Sequence, residues 1–309
     1  MKNIPVLFVE GRSLAEAYER ALISLYENGS RIATQYDQAG DPLSIDATMN
    51  ITVLDPWADP MIHKAFPGGI EDLQEYVLEL TGVKDHWVKN MNDPEDTRWE
   101  YTYHQRLKSY GSWREKVDGE SVQAGTFVID QIEKVIVKLV EQPHSRQAQM
   151  ITWMPNIDFD CYDPPCLQSL WYRLVFDERA VAWLNCNVRF RSNDAWGANF
   201  MNMFGFIQFN RQVIADEIAR RTGKTVELGR LNWQADSYHI YGKSIEEAKA
   251  RLFDRLQTTA FEDRVFNFRD PMIRQIYEEA QEGVLEKIRN FDKEHQARLV
   301  DLPSIEGIS

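Results

Sequence analysis

Three cysteines in 309 residues, Cys161, Cys166 and Cys186, are too few and too irregularly placed for a disulfide framework or a structural zinc site. A reduced, intracellular setting follows. No stretch approaches the roughly 18 apolar residues that a membrane helix needs, and the N-terminal Met-Lys-Asn-Ile-Pro-Val-Leu-Phe-Val run is too short for a signal peptide. A cytoplasmic protein is therefore expected. Cations are also scarce: 35 Lys and Arg against 48 Asp and Glu leave a net charge of -13, which argues against a general attraction to nucleic acid. A local arginine cluster can still hold one phosphate whatever the net charge. There is no repeat and no low-complexity linker. The sequence does have 43% hydrophobic and 12% aromatic residues, enough to bury a large core, with disorder expected only at the ends.

The chain alternates strand-like and helix-like segments. Residues 4–9 read as a strand, and Ser13 with Glu16 forms a capping-box pattern that opens a helix running to about Glu27. Asn28-Gly29 stops it, and residues 30–42 read as a polar loop carrying Arg31 before a strand over 43–54. Ile70, Leu73, Val77 and Leu80 share one face of a helix over 69–81, with Glu75 off that stripe. Residues 83–125 lack a clean period and read as irregular connections around a short helix near 101–110. The spacing predicts a helix over 129–140 ended by Gln142-Pro143 and a strand over 148–153. Runs 167–176 and 180–190 should pair as a central hairpin, with Cys166 at the mouth of a central strand. A helix over 204–221 capped by Gly223, a strand over 228–241 and charged helices over 244–256 and 271–295 complete the reading.

Chemistry concentrates in three segments. In Asp163-Pro-Pro-Cys-Leu-Gln, two prolines fix the backbone immediately before Cys166 at the entry to an apolar strand. Free cysteines are commonly small buried hydrophobes, so the thiol alone does not make a nucleophile. In Arg189-Phe-Arg-Ser-Asn-Asp-Ala-Trp-Gly-Ala-Asn-Phe-Met-Asn, cations, a hydroxyl, amides and a carboxylate lie between a strand and a helix. Arg191 can form paired hydrogen bonds to a phosphate and favour a nearby thiolate, and Ser192 can add a phosphate contact. The bland reading of this segment is a solvated turn with an ion pair. In Asp236-Ser-Tyr-His-Ile-Tyr, His239 and Tyr241 share one side of a strand and could both reach a sugar hydroxyl; a lone His239 would more often be a satisfied core histidine.

The order of these elements resembles the thymidylate synthase family, including its nucleotide hydroxymethylases and archaeal-type branch. Pro165-Cys166 resembles the family's Pro-Cys nucleophile and Arg191-Ser192-Asn193-Asp194 its Arg-Ser-x-Asp segment. Asn202 falls where the family's base-reading asparagine sits, and His239 with Tyr241 on its sugar-binding His-x-Tyr pair. Ser145-Arg146 resembles the segment that carries an arginine to the phosphate of the neighbouring subunit. Glu75 corresponds to the family's glutamate near a helix end, and Tyr101 and Arg106 to its Tyr-x-x-x-x-Arg segment.

The resemblance implies an α/β (α+β) fold: one domain over 1–309 with a central mixed sheet flanked by helices, residues 257–309 forming a helical C-terminal extension, and a homodimer through the sheet. It implies one-carbon transfer from 5,10-methylenetetrahydrofolate to carbon 5 of a pyrimidine nucleoside monophosphate. Cys166 would add to the ring, Asn202 and Asp194 orient it, and Glu75 and Tyr101 complete the catalytic set. Arg191, Ser192, Arg146 and Arg31 would hold the phosphate and His239 and Tyr241 the sugar. An amide at Asn202 suits the uracil edge, which favours dUMP over dCMP or CMP. The alternative from another class is a nucleotide-binding relative that has lost catalysis.

The sequence also departs from the family. Gln147 stands where most members carry a second arginine, and Leu167 and Trp171 replace the histidine and glutamine that follow the cysteine. Leu302-Pro-Ser-Ile-Glu-Gly-Ile-Ser lacks the family's short apolar C-terminal motif, which seals the site. An open site lets water capture the ring's exocyclic methylene, so hydroxymethylation is slightly preferred over reductive methylation to dTMP.

Overall fold

The computed structural model describes residues 3–88, 99–111, 114–117, 120–123 and 128–295. Strand β1 (Val6–Gly11) leads into helix α1 (Leu14–Asn28), then β2 (Ser30–Ile32), β3 (Ser44–Val53), the short β4 (Ile62–His63) and α2 (Ile70–Leu80). Helix α3 (Tyr103–Lys108), the hairpin β5 (Arg114–Val117) and β6 (Glu120–Gln123), α4 (Gln131–Glu141), β7 (Gln149–Ile151) and the single turn α5 (Pro155–Asp158) follow. The C-terminal half holds β8 (Leu167–Phe176), β9 (Ala182–Asp194), α6 (Asn199–Phe209), α7 (Asp216–Thr222), β10 (Val226–Ile240), α8 (Ile245–Arg251), β11 (Val265–Phe266) and α9 (Pro271–His295).

The fold is mixed α/β around a seven-stranded sheet in the order β1-β3-β10-β9-β8-β7, with β2 beside β3. Strands β1 and β3 pair in parallel, as do β9 and β10; the remaining pairs are antiparallel. Ala182, Leu184, Cys186, Val188 and Phe190 of β9 are buried, whereas Asn185, Asn187 and Arg189 alternate onto the other face. In β10 the period slips between Leu228 and Leu231 and again between Ala235 and Tyr238, where bulges return the apolar residues to the core side. The core lies on one face of the sheet, beneath α1 and α6. The other face is largely polar, with Trp171 among its polar side chains and exposed Val6 and Phe8 on the edge strand.

Several elements differ from the sequence reading. Arg31 lies on a strand: residues 30–32 pair with Asp46, Ile45 and Ser44, because β1 begins its pairing only at Thr48 and leaves that stretch of the β3 edge open. Strand β8 lies next to the edge strand β7, so Cys166 precedes a strand one place in from the edge, and β9 and β10 are central. The helix expected over 204–221 starts at Asn199 and widens into a π-helical segment over Asn210–Ala215 before α7 ends at Gly223, whose φ of 67° suits a residue without a Cβ. The helix expected over 244–256 stops at Arg251 and continues in 3₁₀ geometry. Residues 257–295 are woven into the core: β11 pairs with β4, and Ile273 and Tyr277 of α9 join the main apolar cluster.

A buried ion pair ties the α3–α5 region together. Arg106 donates to both carboxylate oxygens of Asp158 (2.8 and 3.2 Å), and Asp158 also accepts from the Met154 backbone N–H. The two side chains are 8% and 0% exposed, so each needs the other. Asp158→Ala is expected to lower the free energy of unfolding by about 3–5 kcal/mol by leaving the guanidinium buried and unpaired. Urea denaturation monitored by tryptophan fluorescence measures this; a loss under about 1 kcal/mol would mean that water replaces the carboxylate.

Candidate active site

Three strand ends converge on one side of the sheet. Cys166 stands just before β8, whose first residue, Leu167, pairs with Phe190 of β9, and the Cys166 carbonyl accepts from Arg191 N–H at 2.8 Å. In the parallel pairing of β9 with β10, Ser192 lies beside Ser237, Asn193 beside Tyr238 and Asp194 beside His239. A cleft of about 380 Å³ opens there, lined by residues that include Cys166, Ser192, Asp194, Asn202, His239, Tyr241 and Tyr101. Those are seven of the eleven residues that the sequence singles out. The other four, Glu75, Arg191, Arg146 and Arg31, do not line it.

The turn from β9 into α6 is rigid for identifiable reasons. Asp194 Oδ1 accepts from the backbone N–H groups of Trp196 and Gly197 at 3.0 and 2.9 Å. A Cβ at Gly197 would lie 2.5 Å from Asp194 Oδ2, so only glycine leaves that carboxylate in place. Beneath the turn, Asn193 Oδ1 accepts from Trp233 Nε1 (3.0 Å) and Asn199 Nδ2 (2.7 Å), while Asn199 Oδ1 accepts from the Tyr238 hydroxyl (2.9 Å). All four side chains are buried, and their mutual hydrogen bonds offset the cost of desolvating them. One turn along α6, Asn202 Oδ1 accepts from the Tyr76 hydroxyl at 2.5 Å, which orients its amide towards the cleft.

Arg191 fastens the cysteine segment. Its Nε donates to the Pro165 carbonyl at 3.0 Å and its Nη2 to the Pro164 carbonyl at 2.5 Å, and its guanidinium lies over the Trp153 ring. The fork that the sequence directs at a phosphate is thus engaged with the Pro-Pro backbone. Burial pushes the Cys166 thiol above its ordinary range; the Arg191 charge opposes this and Asp163 adds to it. Arg146 is exposed in the loop after α4, where its carbonyl accepts from Trp171 Nε1. Arg31 is exposed on β2, near the Tyr26 ring.

The carboxylate that enters the cleft from α2 is Glu79, one turn beyond Glu75. Burial raises the Glu79 carboxyl despite Lys84. Glu75 is oriented elsewhere: burial acts to raise its carboxyl, but hydrogen bonds from Lys84 (2.6 Å) and Lys287 (3.1 Å) outweigh it and hold it low. Lys84 is itself buried, 3.6 Å from Glu79 and packed over the Trp87 and Trp99 rings. The sequence contained a signal for Glu79: Tyr76 and Glu79 stand three apart, so they flank the apolar stripe of α2 together. Tyr76, Trp99, Tyr101 and Tyr103 give the cleft an aromatic lining, a residue type on which a heterocycle can stack. Among the described residues no cluster of histidine, cysteine and acidic side chains could hold a metal ion.

The Cys166 environment gives a direct pH expectation. Desolvation disfavours the thiolate, so in a Cys161→Ser background iodoacetamide alkylation of Cys166 should rise with pH through an inflection above that of a free thiol. Cys186 will not interfere, being buried with its thiol pushed up to about 12. Peptide mass analysis across a pH series tests this; an inflection below the free-thiol range would show that Arg191 outweighs burial.

Comparison with known proteins places the chain in a family. The family description "Thymidylate synthase" matches residues 71–281. A protein named "Putative thymidylate synthase" from Methanosarcina acetivorans is 27% identical over 235 residues, covering 75% of this chain and 88% of that protein. One of the same name from Methanocaldococcus jannaschii is 28% identical over 244 residues, covering 76% and 91%. Thermostable thymidylate synthase A from Bacillus subtilis shares the fold with a TM-score of 0.55 at 18% identity, over 83% of this chain and 96% of that one. With its family segment spanning more than half its length and carrying the cysteine, the Arg-Ser-Asn-Asp turn and the His-x-Tyr pair, this chain belongs to the thymidylate synthase family.

Proposed function

We propose that the protein transfers a one-carbon unit to carbon 5 of a pyrimidine nucleoside monophosphate, with dUMP the favoured substrate. The observation that carries this reading is the meeting of Cys166, Asp194, Asn202, His239 and Tyr241 in one cleft. Carbon 5 of a pyrimidine is a poor nucleophile until a thiolate adds at carbon 6 and turns the ring into an enolate-like species. Cys166 supplies that thiolate, Asn202 and Asp194 bind the polar edge of the ring, and His239 with Tyr241 bind the sugar. Ser192 faces the phosphate end. Arg191 reaches the phosphate by releasing the Pro164 and Pro165 carbonyls, and Arg31 approaches from β2.

We assign the proton-handling role to Glu79 in place of Glu75. A carboxyl raised by burial and facing the cleft can hold and deliver a proton, whereas one pinned by two lysines stays ionised and occupied. 5,10-Methylenetetrahydrofolate would supply the one-carbon unit. The aromatic residues that line the cleft, Tyr76, Trp99 and Tyr101, suit its flat ring system and would hold it beside Cys166. The favoured outcome is capture of the ring's methylene by water, giving a hydroxymethyl nucleotide. The segment 302–309, on which the sequence reading of cleft closure rests, lies outside the described residues.

The exposed Val6 and Phe8 on the outer face of the sheet support a homodimer through that face. Arg146 lies at its border, beside Trp171, where it could cross to the partner's phosphate. Analytical ultracentrifugation is expected to give a dimer that Phe8→Asp dissociates; a wild-type monomer would remove this part of the proposal.

Incubation with dUMP, dCMP, UMP or CMP plus methylenetetrahydrofolate, with products identified by mass, tests the chemistry. Hydroxymethyl-dUMP with tetrahydrofolate is expected. Methylated product with dihydrofolate would change the outcome assigned here and keep the rest, and no turnover of any nucleotide would overturn the enzyme reading. Cys166→Ala should abolish both product and tritium exchange at carbon 5. Glu79→Gln should slow turnover by about a hundredfold or more while Glu75→Gln costs less than tenfold, the scale of losing a general acid-base group; the reverse order would return the role to Glu75.

A further inference from the structure

Behind His239 lies a short polar chain that the proposed chemistry leaves unused. In the antiparallel pairing of β3 with β10, Asp46 stands directly opposite His239, so the two side chains share a face. The bulge between Ala235 and Tyr238 sets Ser237 between them: its Oγ is 2.6 Å from Asp46 Oδ2 and 3.2 Å from His239 Nδ1. Asp46 and His239 are 5% and 4% exposed. The far nitrogen of the ring, Nε2, is buried without a protein partner among the described residues, and His239 lines the cleft while Asp46 does not.

The direction of these hydrogen bonds follows from counting protons. A serine hydroxyl has one hydrogen to give, and a separation of 2.6 Å is the distance of an O–H···O⁻ bond to a carboxylate. With that hydrogen committed to Asp46, the oxygen is left only to accept, and the group able to donate to it is Nδ1–H. In the neutral ring the other nitrogen then carries a lone pair. We infer that Asp46, acting through Ser237, is a positioning residue that holds His239 with its proton on Nδ1, so that Nε2 accepts a hydrogen bond from a hydroxyl of the bound ligand. On the function proposed above, on which the ligand's identity rests, that hydroxyl belongs to the sugar. The device selects for a hydroxyl donor, because a ligand lacking one leaves a buried acceptor unpaired. Burial raises the Asp46 carboxyl against the opposing effects of Ser237 and His239. A proton on Asp46 would reverse the chain, making Ser237 the donor to Nδ1 and Nε2–H a donor to the ligand, and the two arrangements can be told apart.

The experiment is long-range ¹H–¹⁵N NMR of the full-length, ¹⁵N-histidine-labelled protein, with the His239 signals assigned by loss in His239→Gln. The expected spectrum shows His239 protonated on Nδ1. In Ser237→Ala and in Asp46→Asn the ring should shift towards the Nε2–H form. Calorimetry on the same proteins should show dUMP binding weakened by roughly threefold to tenfold, the worth of one neutral hydrogen bond, while binding of the 2′,3′-dideoxy analogue is unchanged. A wild-type ring protonated on Nε2, or variants that match wild type in both tautomer and dUMP affinity, would overturn the inference. If wild-type protein binds neither nucleotide, the substrate reading fails, and the tautomer measurement still decides the relay.

Discussion

The parallel pairing of β9 with β10 is the constraint on which the site depends. Both strands end at the same level, so Asp194 and His239 stand side by side at the sheet's edge. Because β8 runs antiparallel to β9, its beginning falls at that same level and brings Cys166 with it. A slip of one residue in either pairing would turn every alternate side chain to the opposite face and disperse the cluster. The buried amide network of Asn193, Asn199, Trp233 and Tyr238 opposes such a slip, since a shifted register would leave those polar groups desolvated and unpaired.

Around that frame the charged groups divide into those that hold the site and those that face it. Arg191 spends its fork on the Pro164 and Pro165 carbonyls, so the cation nearest Cys166 also fixes the thiol's position. Lys84 sits between Glu75 and Glu79 and, with Lys287, occupies the first while leaving the second at the cleft. Carboxylates one helical turn apart thereby acquire opposite proton affinities, Glu79 raised by its burial and Glu75 held low by its two lysines against burial. The lysine from α9 makes the C-terminal helix part of that arrangement. Asp292 on the same helix extends it by accepting from Trp87 Nε1 and pairing with His86, beside the aromatic cage of Lys84.

How far the site was legible in the sequence varies residue by residue. Cys166 after two prolines, the Arg-Ser-Asn-Asp turn and His239-x-Tyr241 are contiguous signals, carried by residue types that few purely structural segments combine, and all of them except Arg191 line one cleft. Glu75 lies outside the cleft that Glu79 lines, and linear correspondence cannot tell which of two carboxylates a turn apart points inward; the partners that hold Glu75, Lys84 and Lys287, are 9 and 212 residues away. Asp46 and Ser237 were invisible as a pair for the same reason, being separated by 191 residues and joined only by strand register. Arg31 reads as a loop residue in the sequence because its strand is three residues long, below the length at which alternation is readable.

By itself the sequence determined the mixed α/β class, the long amphipathic helices and the strands around the cysteine, since side-chain periodicity is a local property of the backbone. It also determined which residue types were present to do chemistry. Only the tertiary structure decided strand order, the bulges of β10, the inward turn of Glu79, the engagement of Arg191 and the chain from Asp46 to His239. Each of these depends on contacts between residues far apart in sequence, whose geometry is set by register and burial and leaves no periodic trace along the chain.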